Sequence, residues 1–402
     1  MSKTSAVSRR GFLGTAAASV GAVAIAATAK AAEMAATSPA PATDAPAPSA
    51  AAPTAATKAA VTGAKKLEDV LKAAREKLYP RCRVCLECDG NACAGEVPGM
   101  GGIGSGASFK NNVKALERLH LNLRTFHEVT RPDTAVTLFG HKLELPVLCA
   151  SLGGTTYNMG GKMSEEDFID ASLGGAKSAG TLGLVADGTE DPLATYQLRL
   201  KAIARHGGIA VIKPRAQKDI VERIRLVEEA GALAVVVDVD SAGRAARAAK
   251  LGQIIEPKSP KQLRELVRAT KLPFIVKGVM TPDEAQVAVD AGAAAIVVSN
   301  HGGRVLDHTP GSAEGLPAIA DKVRGKVVVL ADGGIRYGYD VLKMLALGAQ
   351  VVLVGRPIVR GAHGGGVEGV TLVLTKMKNE LVEAMTLTGA ASVRAVSWSI
   401  LS

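Results

Sequence analysis

Aromatic residues are scarce in this chain: six Phe, five Tyr and one Trp, 3% of 402 residues. Proteins that grip single-stranded nucleic acid stack its bases on aromatic faces, so that class is set aside despite a net charge of +10. The positive balance is read as solubility or as attraction for anionic substrates. Also missing is any apolar run of the length a bilayer crossing needs. No G-x-G-x-x-G turn comes after the first strand-like run, at Ser151, which argues against an open dinucleotide-binding sheet. Cysteine is rare too, five residues in all, yet four of them crowd into residues 82–93.

What is present falls into four parts. Residues 1–32 carry paired arginines, Arg9 and Arg10, then Gly-Phe-Leu, an Ala-rich apolar core and small residues around Ala29 and Ala31. That layout is a secretory signal and resembles the twin-arginine export type, which predicts an exported, periplasmic protein. Residues 33–64 are Ala, Pro, Thr and Ser with hardly a charge, a composition that cannot bury a core and reads as a tether. Residues 65–145 form a helical, Cys-rich segment expected to pack on the main domain, which spans 146–402.

From Pro146 onward short apolar runs alternate with helical patterns. The runs lie at 146–151, 181–187, 209–214, 234–240, 273–278, 295–300, 327–333 and 351–356. Each is rich in Val, Ile and Leu, as strands covered on both faces are. Eight such β–α units predict an α/β fold, the (β/α)8 or TIM barrel. Functional groups of this fold gather at the C-terminal ends of the strands, so those ends define a candidate site. The fourth run ends at Asp238 and Asp240, the fifth at Lys277, the sixth at Ser299 to Arg304. The seventh ends at Asp332, Gly333, Gly334 and Arg336, the eighth at Gly355 and Arg356. The glycines allow backbone N–H groups to approach an anion, and the arginines add charge, which suggests a phosphate cradle. Lys277 can form a Schiff base or stabilise negative charge. His301 is a candidate general base, with Asp238 or Asp240 to orient it, and Arg304 offers the fork that suits a carboxylate.

The stretches "IVKG", "VVSNHGGRVLD", "ADGGIRYGYDVLKMLALGA" and "VLVGRP" together resemble the FMN-dependent 2-hydroxy acid oxidases and dehydrogenases, such as glycolate oxidase and lactate oxidase. The likeness is dense from Pro273 to Pro357 and weaker toward "LRTFHEVTRPDTAVTLFGHKLELPV". It implies FMN as cofactor and oxidation of a small 2-hydroxy acid to a 2-oxo acid. It also implies roles: Lys277 against the flavin, Ser299 at the flavin or its ribityl chain, His301 as base, Asp238 as the partner of that base and Arg304 as carboxylate clamp. Asp332, Gly333, Gly334, Arg336, Gly355 and Arg356 would hold the ribityl chain and phosphate. Relatives pass electrons to oxygen, quinones or cytochromes, and no residue selects among these. A homo-oligomer is expected, and no nucleic-acid partner. The alternatives are an FMN-dependent isomerase-like barrel and an exported flavin or metal electron-transfer protein.

Four features depart from the family pattern. Lys213 and Arg215 stand near the places of its Gln-x-Tyr. Arg244 fits the place of its second carboxylate-binding arginine only with a shift, and Tyr79 is an uncertain counterpart of its early tyrosine. Cys82, Cys85, Cys88 and Cys93 add a C-x2-C-x2-C-x4-C run that the family lacks. The spacing is close to that of iron–sulfur ligands. Zinc, two disulfides and free or redox-active thiols stay open. The Gly-rich stretch after it, "EVPGMGGIGSGASF", is expected over the barrel mouth, and Cys149 in the core.

Overall fold

A computed structural model describes residues 66–188 and 192–402, apart from the side chain of Arg247. The signal and tether expected at 1–64 lie outside the described residues.

A short antiparallel hairpin, β1 (Val136–Leu138) and β2 (His141–Leu143), precedes eight parallel strands. These are β3 (Val147–Leu152), β4 (Gly183–Ala186), β5 (Ile209–Ile212), β6 (Val235–Asp238), β7 (Phe274–Val279), β8 (Ala295–Val298), β9 (Val328–Ala331) and β10 (Val351–Val354). They pair in sequence order, and β10 closes on β3, so the sheet is the closed eight-stranded barrel that the apolar runs predict. Six of the strands are two or three residues shorter than their runs, because the polar ends leave the ladder to form the rim, while β3 and β7 keep the full length of theirs.

Two apolar layers hold the barrel. Its interior packs Leu148, Leu184, Val211, Val236, Ile275, Val297, Leu330 and Leu353. Leu138 and Leu143 of the hairpin join this layer, so β1 and β2 plug the N-terminal end. Outside, alternate strand residues such as Val185, Val237 and Ile296 pack against the helices. Every side chain of β4, β5, β6, β8 and β10 is buried, which explains why these strands read as continuous apolar runs rather than alternating ones.

The 65–145 segment is built into this body. The helix Leu67–Leu78 buries Val70, Ala74 and Leu78, and Val70 abuts Gly364 and Gly369 of the long helix Arg356–Thr388. The helix Ala107–Glu117 lies on the rim: Asn112 accepts from the Ser312 backbone N–H at 2.9 Å and donates to Asn300 Oδ1 at 2.7 Å. The carboxy-terminal tail returns to the same segment through bridges Leu121–Leu401 and Asp133–Ser392. Among the described residues no helix is long and apolar enough to cross a membrane.

Candidate active site

Strand register assembles the charged floor of the barrel mouth. In the β6–β7 ladder Asp238 stands opposite Lys277, and Lys277 Nζ donates to Asp238 Oδ1 at 3.1 Å and Ser299 Oγ at 3.2 Å. Asp332 Oδ2 lies 3.7 Å from the same ammonium. Lys213, just past β5, donates to Asp238 Oδ2 and, at 3.0 Å, to Ser241 Oγ. Asp238 is 1% exposed, so burial alone would push its carboxyl up, but the Lys213 and Lys277 ammoniums override this and hold it well below the usual carboxylate range. Burial opposes the charge on Lys277, but Asp238, Asp240 and Asp332 together raise it above the usual lysine range. Asp332 moves the other way: burial raises it, and the cation of Lys277 offsets this only in part.

Directly after β6 the chain tightens into a 3-10 turn, Val239–Arg244, which swings Asp240 back over the rim. Gly278 makes room for it. The glycine sits at a register shift of β7 with φ 105°, and a Cβ there would fall 2.6 Å from Asp240 Cβ. Asp240 Oδ1 thereby comes within 3.0 Å of His301 Nδ1, while Asp238 Oδ1 is 3.6 Å away. Of the two carboxylates expected to orient His301, Asp240 is the nearer, and Asp238, the partner that the resemblance implies, is shared with two lysines. A carboxylate on Nδ1 fixes the proton there and leaves Nε2 with its lone pair. Among the described residues Nε2 has no protein partner. His301 itself adopts φ 58°, a left-handed conformation costly for a residue with a side chain, and its N–H donates to Ser299 Oγ at 3.0 Å.

Arg304 donates to the carbonyls of Gly99 and, at 3.3 Å, Gly101, and to Asn158 Oδ1 at 3.1 Å. Arg356 donates to Met100 O at 2.8 Å and to Gly101 O and Gly302 O at 3.2 Å, and stacks 3.6 Å from the Phe109 ring centre. The Gly-rich stretch is therefore drawn over the mouth, as expected, by two rim arginines. Neither arginine has a carboxylate partner among these contacts. Burial, with Arg356 and Arg244 as neighbours, pushes the Arg304 guanidinium down to about 9, so it remains charged at neutral pH.

The glycines of "DGG" have a second cause besides approach to an anion. A Cβ on Gly333 would lie 2.3 Å from Ser312 Oγ, and one on Gly334 2.4 Å from the Asn112 carbonyl. Packing of the Ala107–Glu117 helix onto the rim already requires both. Tyr79, the doubtful tyrosine, is 63% exposed at the end of the first helix and does not line the mouth. Tyr157 and Asn158, from the one-turn helix Thr155–Asn158 after β3, do line it. Lys213 and Arg244 line it as well, whereas Arg215 turns into the barrel wall, pairing with Asp187 at 2.7 and 2.9 Å.

Lys213, Arg244, Lys277, His301, Arg304, Asp332 and Arg356 border one cleft at the barrel mouth. Ser299 lies beneath it; Asp332, Gly333, Gly334, Arg336, Gly355 and Arg356 form one side. Asp332 Oδ1, Arg336 Nε and Arg244 Nη2 are buried and have no partner among the described residues. Buried polar atoms without partners are rare in folded proteins, and three on one cleft mark where a polar ligand belongs. The donor set suits FMN: arginine and glycine N–H groups for a phosphate, a buried lysine for an anionic ring.

The chain matches the FMN-dependent dehydrogenase family over residues 99–261 and 244–402. It belongs to that family. A 2-hydroxyacid oxidase of Dictyostelium discoideum is 32% identical over 331 residues, covering 73% of this chain and 82% of the relative. An L-lactate oxidase of Lacticaseibacillus rhamnosus is 32% identical over 320 residues, covering 72% and 84%. Among solved structures, mandelate oxidase bound to (S)-2-phenylpropionate superposes with a TM-score of 0.67 at 32% identity, over 84% of this chain and 97% of that one. A mandelate oxidase variant carrying a C4a-OH-FMN adduct gives 0.66 at 31% identity. Membership of this family makes FMN the cofactor of the cleft. The four clustered cysteines have no role in this frame. None is in a disulfide.

Proposed function

We propose that this chain is an FMN-dependent oxidoreductase that oxidises a small 2-hydroxy acid to the 2-oxo acid. The observation that carries the reading is the arrangement of His301, with Asp240 and Asp238 on Nδ1, beside the guanidinium of Arg304 in one cleft. Arg304 binds the substrate carboxylate, exchanging its carbonyl contacts for a charge-assisted pair. Arg244, whose Nη2 is buried without a partner in the same cleft, is the second carboxylate ligand. Arg244 is the last residue of the 3-10 turn Val239–Arg244. Nε2 of His301 takes the proton of the substrate, and the imidazolium so formed is stabilised by the two carboxylates at Nδ1. FMN, when bound, accepts the two electrons leaving the substrate carbon. Lys277, held by Asp238 and Ser299, presents a fixed positive charge toward the cleft, where negative charge accumulates on reduction. Arg336, Gly333, Gly334, Gly355 and Arg356 hold the ribityl phosphate, Arg356 while also tethering the Gly-rich strap.

Export through the twin-arginine route is part of the proposal and rests on Arg9, Arg10 and the Ala-rich composition after them. A folded, cofactor-loaded enzyme is the cargo that route carries. Its test is fractionation of cells producing the chain with Arg9 and Arg10 intact or replaced by Lys. The catalytic test is anaerobic mixing of the FMN-loaded protein with L-lactate, glycolate or L-mandelate while the flavin band is followed. Bleaching with at least one acid is expected. An FMN-loaded protein that no 2-hydroxy acid bleaches refutes the reading and favours a flavin barrel of another activity.

A further inference from the structure

Cys82, Cys85, Cys88 and Cys93 lie outside the catalytic cleft, yet all four line a single second cavity of about 330 Å3 including its mouth. Met100 and Arg356 wall both this cavity and the cleft, so the two are neighbours through one layer of side chains. The loop is fastened in place by backbone bonds: Cys82 N–H to Leu78 O at 2.9 Å, Glu96 N–H to Cys93 O at 3.2 Å, and a bridge between Ala94 and Gly102. The Asp89 carboxylate caps the turn by accepting from Asn91 N–H at 2.9 Å, within the longer spacing between Cys88 and Cys93. Such rigid convergence of four thiols, none paired as a disulfide, is a ligand set rather than a row of surface cysteines.

Three features indicate what the set would hold. The run C-x2-C-x2-C-x4-C is close to the spacing of iron–sulfur ligands. A polynuclear cluster attaches each thiolate to a different metal atom, and four thiols around one cavity supply four such attachments. The cavity is also lined by Arg356 and Arg360, and Arg360 Nε is buried with no partner among the described residues. Arg83 pairs with Glu96 at 2.7 Å, and Glu87 and Asp89 share the lining, so these two arginines are the cations left to face four thiolates. Finally, Val84 between the first two cysteines holds φ 47°, a strained value for a β-branched residue, and its N–H lies 3.5 Å from Cys82 Sγ. N–H groups directed at sulfur are the usual surroundings of iron–sulfur clusters.

We propose that Cys82, Cys85, Cys88 and Cys93 ligate an iron–sulfur cluster of the four-iron class, next to the flavin cleft. This goes beyond the hydroxy-acid reading and does not depend on it. The test is anaerobic purification of the full chain, treatment with ferrous iron and sulfide, and determination of iron, acid-labile sulfide, zinc and FMN per chain. The result expected is about four iron and four sulfide, with a low-temperature paramagnetic signal after dithionite reduction. Cys88→Ser and Cys93→Ser should lose most of the iron while keeping FMN, and Cys149→Ser should keep both. An FMN-loaded wild-type chain that takes up no iron, binds a single zinc, or shows two disulfides by mass spectrometry overturns the proposal. So do cysteine variants that retain FMN and full iron. Flavin bleaching by hydroxy acids is scored separately, so either idea can fail alone.

Discussion

Replacing Asp238 by Asn removes one negative charge from between two buried ammoniums. Asp238 is 1% exposed, Lys277 4% and Lys213 8%, so none can be rescued by water without opening the barrel mouth. Breaking a buried ion pair by deleting one partner costs about 3–5 kcal/mol, because the other charge is stranded. Here the loss strands Lys213, whose remaining partner is the Ser241 hydroxyl, and leaves Lys277 with the more distant Asp332. For a folded body of this size that predicts a fall in Tm of roughly 4–7 °C, read by circular dichroism and flavin fluorescence on the FMN-loaded protein. The sign of the pH dependence is set by the depressed carboxyl. Its stabilisation is complete above the unfolded pKa of about 3.9 and drains away as pH falls through the lower native value. Wild type should therefore lose stability more steeply than Asp238→Asn in acid, and the two curves should converge there. Adding Lys213→Met removes the stranded cation, so the double variant should be about 1–3 kcal/mol more stable than the sum of the single changes. Additive effects, or a single variant within about 1 kcal/mol of wild type, would refute the picture of a carboxylate balancing two buried lysines.

Further outcomes are expected. His301→Ala should bind FMN as wild type does but be reduced by substrate about 10²–10⁴-fold more slowly, measured by anaerobic stopped flow. Gly334→Ala places a Cβ 2.4 Å from the Asn112 carbonyl at φ 83° and should cost about 1–3 kcal/mol in urea unfolding; a change under about 0.5 kcal/mol would show that the helix on the rim yields freely. Burial raises the Cys149 thiol to about 12, so native protein should leave it unmodified by a thiol reagent at neutral pH and expose it only on unfolding.

Much of this architecture was legible because parallel strands covered on both faces cannot hide. Val235 to Val237 or Ala295 to Val298 have no solvent side on which to place a polar residue. Strand ends then located Lys277, Ser299, His301, Arg304 and Asp332 without any tertiary information. What escaped depends on register and on turns. That Lys213 faces Asp238 is set by the offsets of β5, β6 and β7, which a run of apolar letters does not encode. That Asp240 outreaches Asp238 toward His301 depends on a 3-10 turn and on the glycine of a neighbouring strand. Tyr157 and Asn158 sit on a single helical turn, too short to carry a periodic pattern. The glycine pair at 333–334 carried a correct location with an incomplete cause, since a helix from the far end of the chain sets its packing.

The distribution of compensated and uncompensated charge explains why this rim suits an anionic substrate. Lys213 and Lys277 are already matched by Asp238, with Asp240 and Asp332 nearby, so they contribute rigid local dipoles more than net attraction. Arg304 and Arg356 are matched only by neutral carbonyls and amides, and Arg244 Nη2 by nothing. Buried cations paired only with neutral groups retain most of their field, and their mutual repulsion adds to burial in pulling the Arg304 guanidinium below its ordinary range. A carboxylate entering beside Arg304 relieves that repulsion, whereas a neutral alcohol does not. On the proposed reading, selection for a 2-hydroxy acid over a simple alcohol rests on Arg304 and Arg244, while the proton chemistry rests on His301 and its carboxylates. The two functions rest on different side chains, which lets substrate choice vary through Arg244, Tyr157 and Asn158 without disturbing the base.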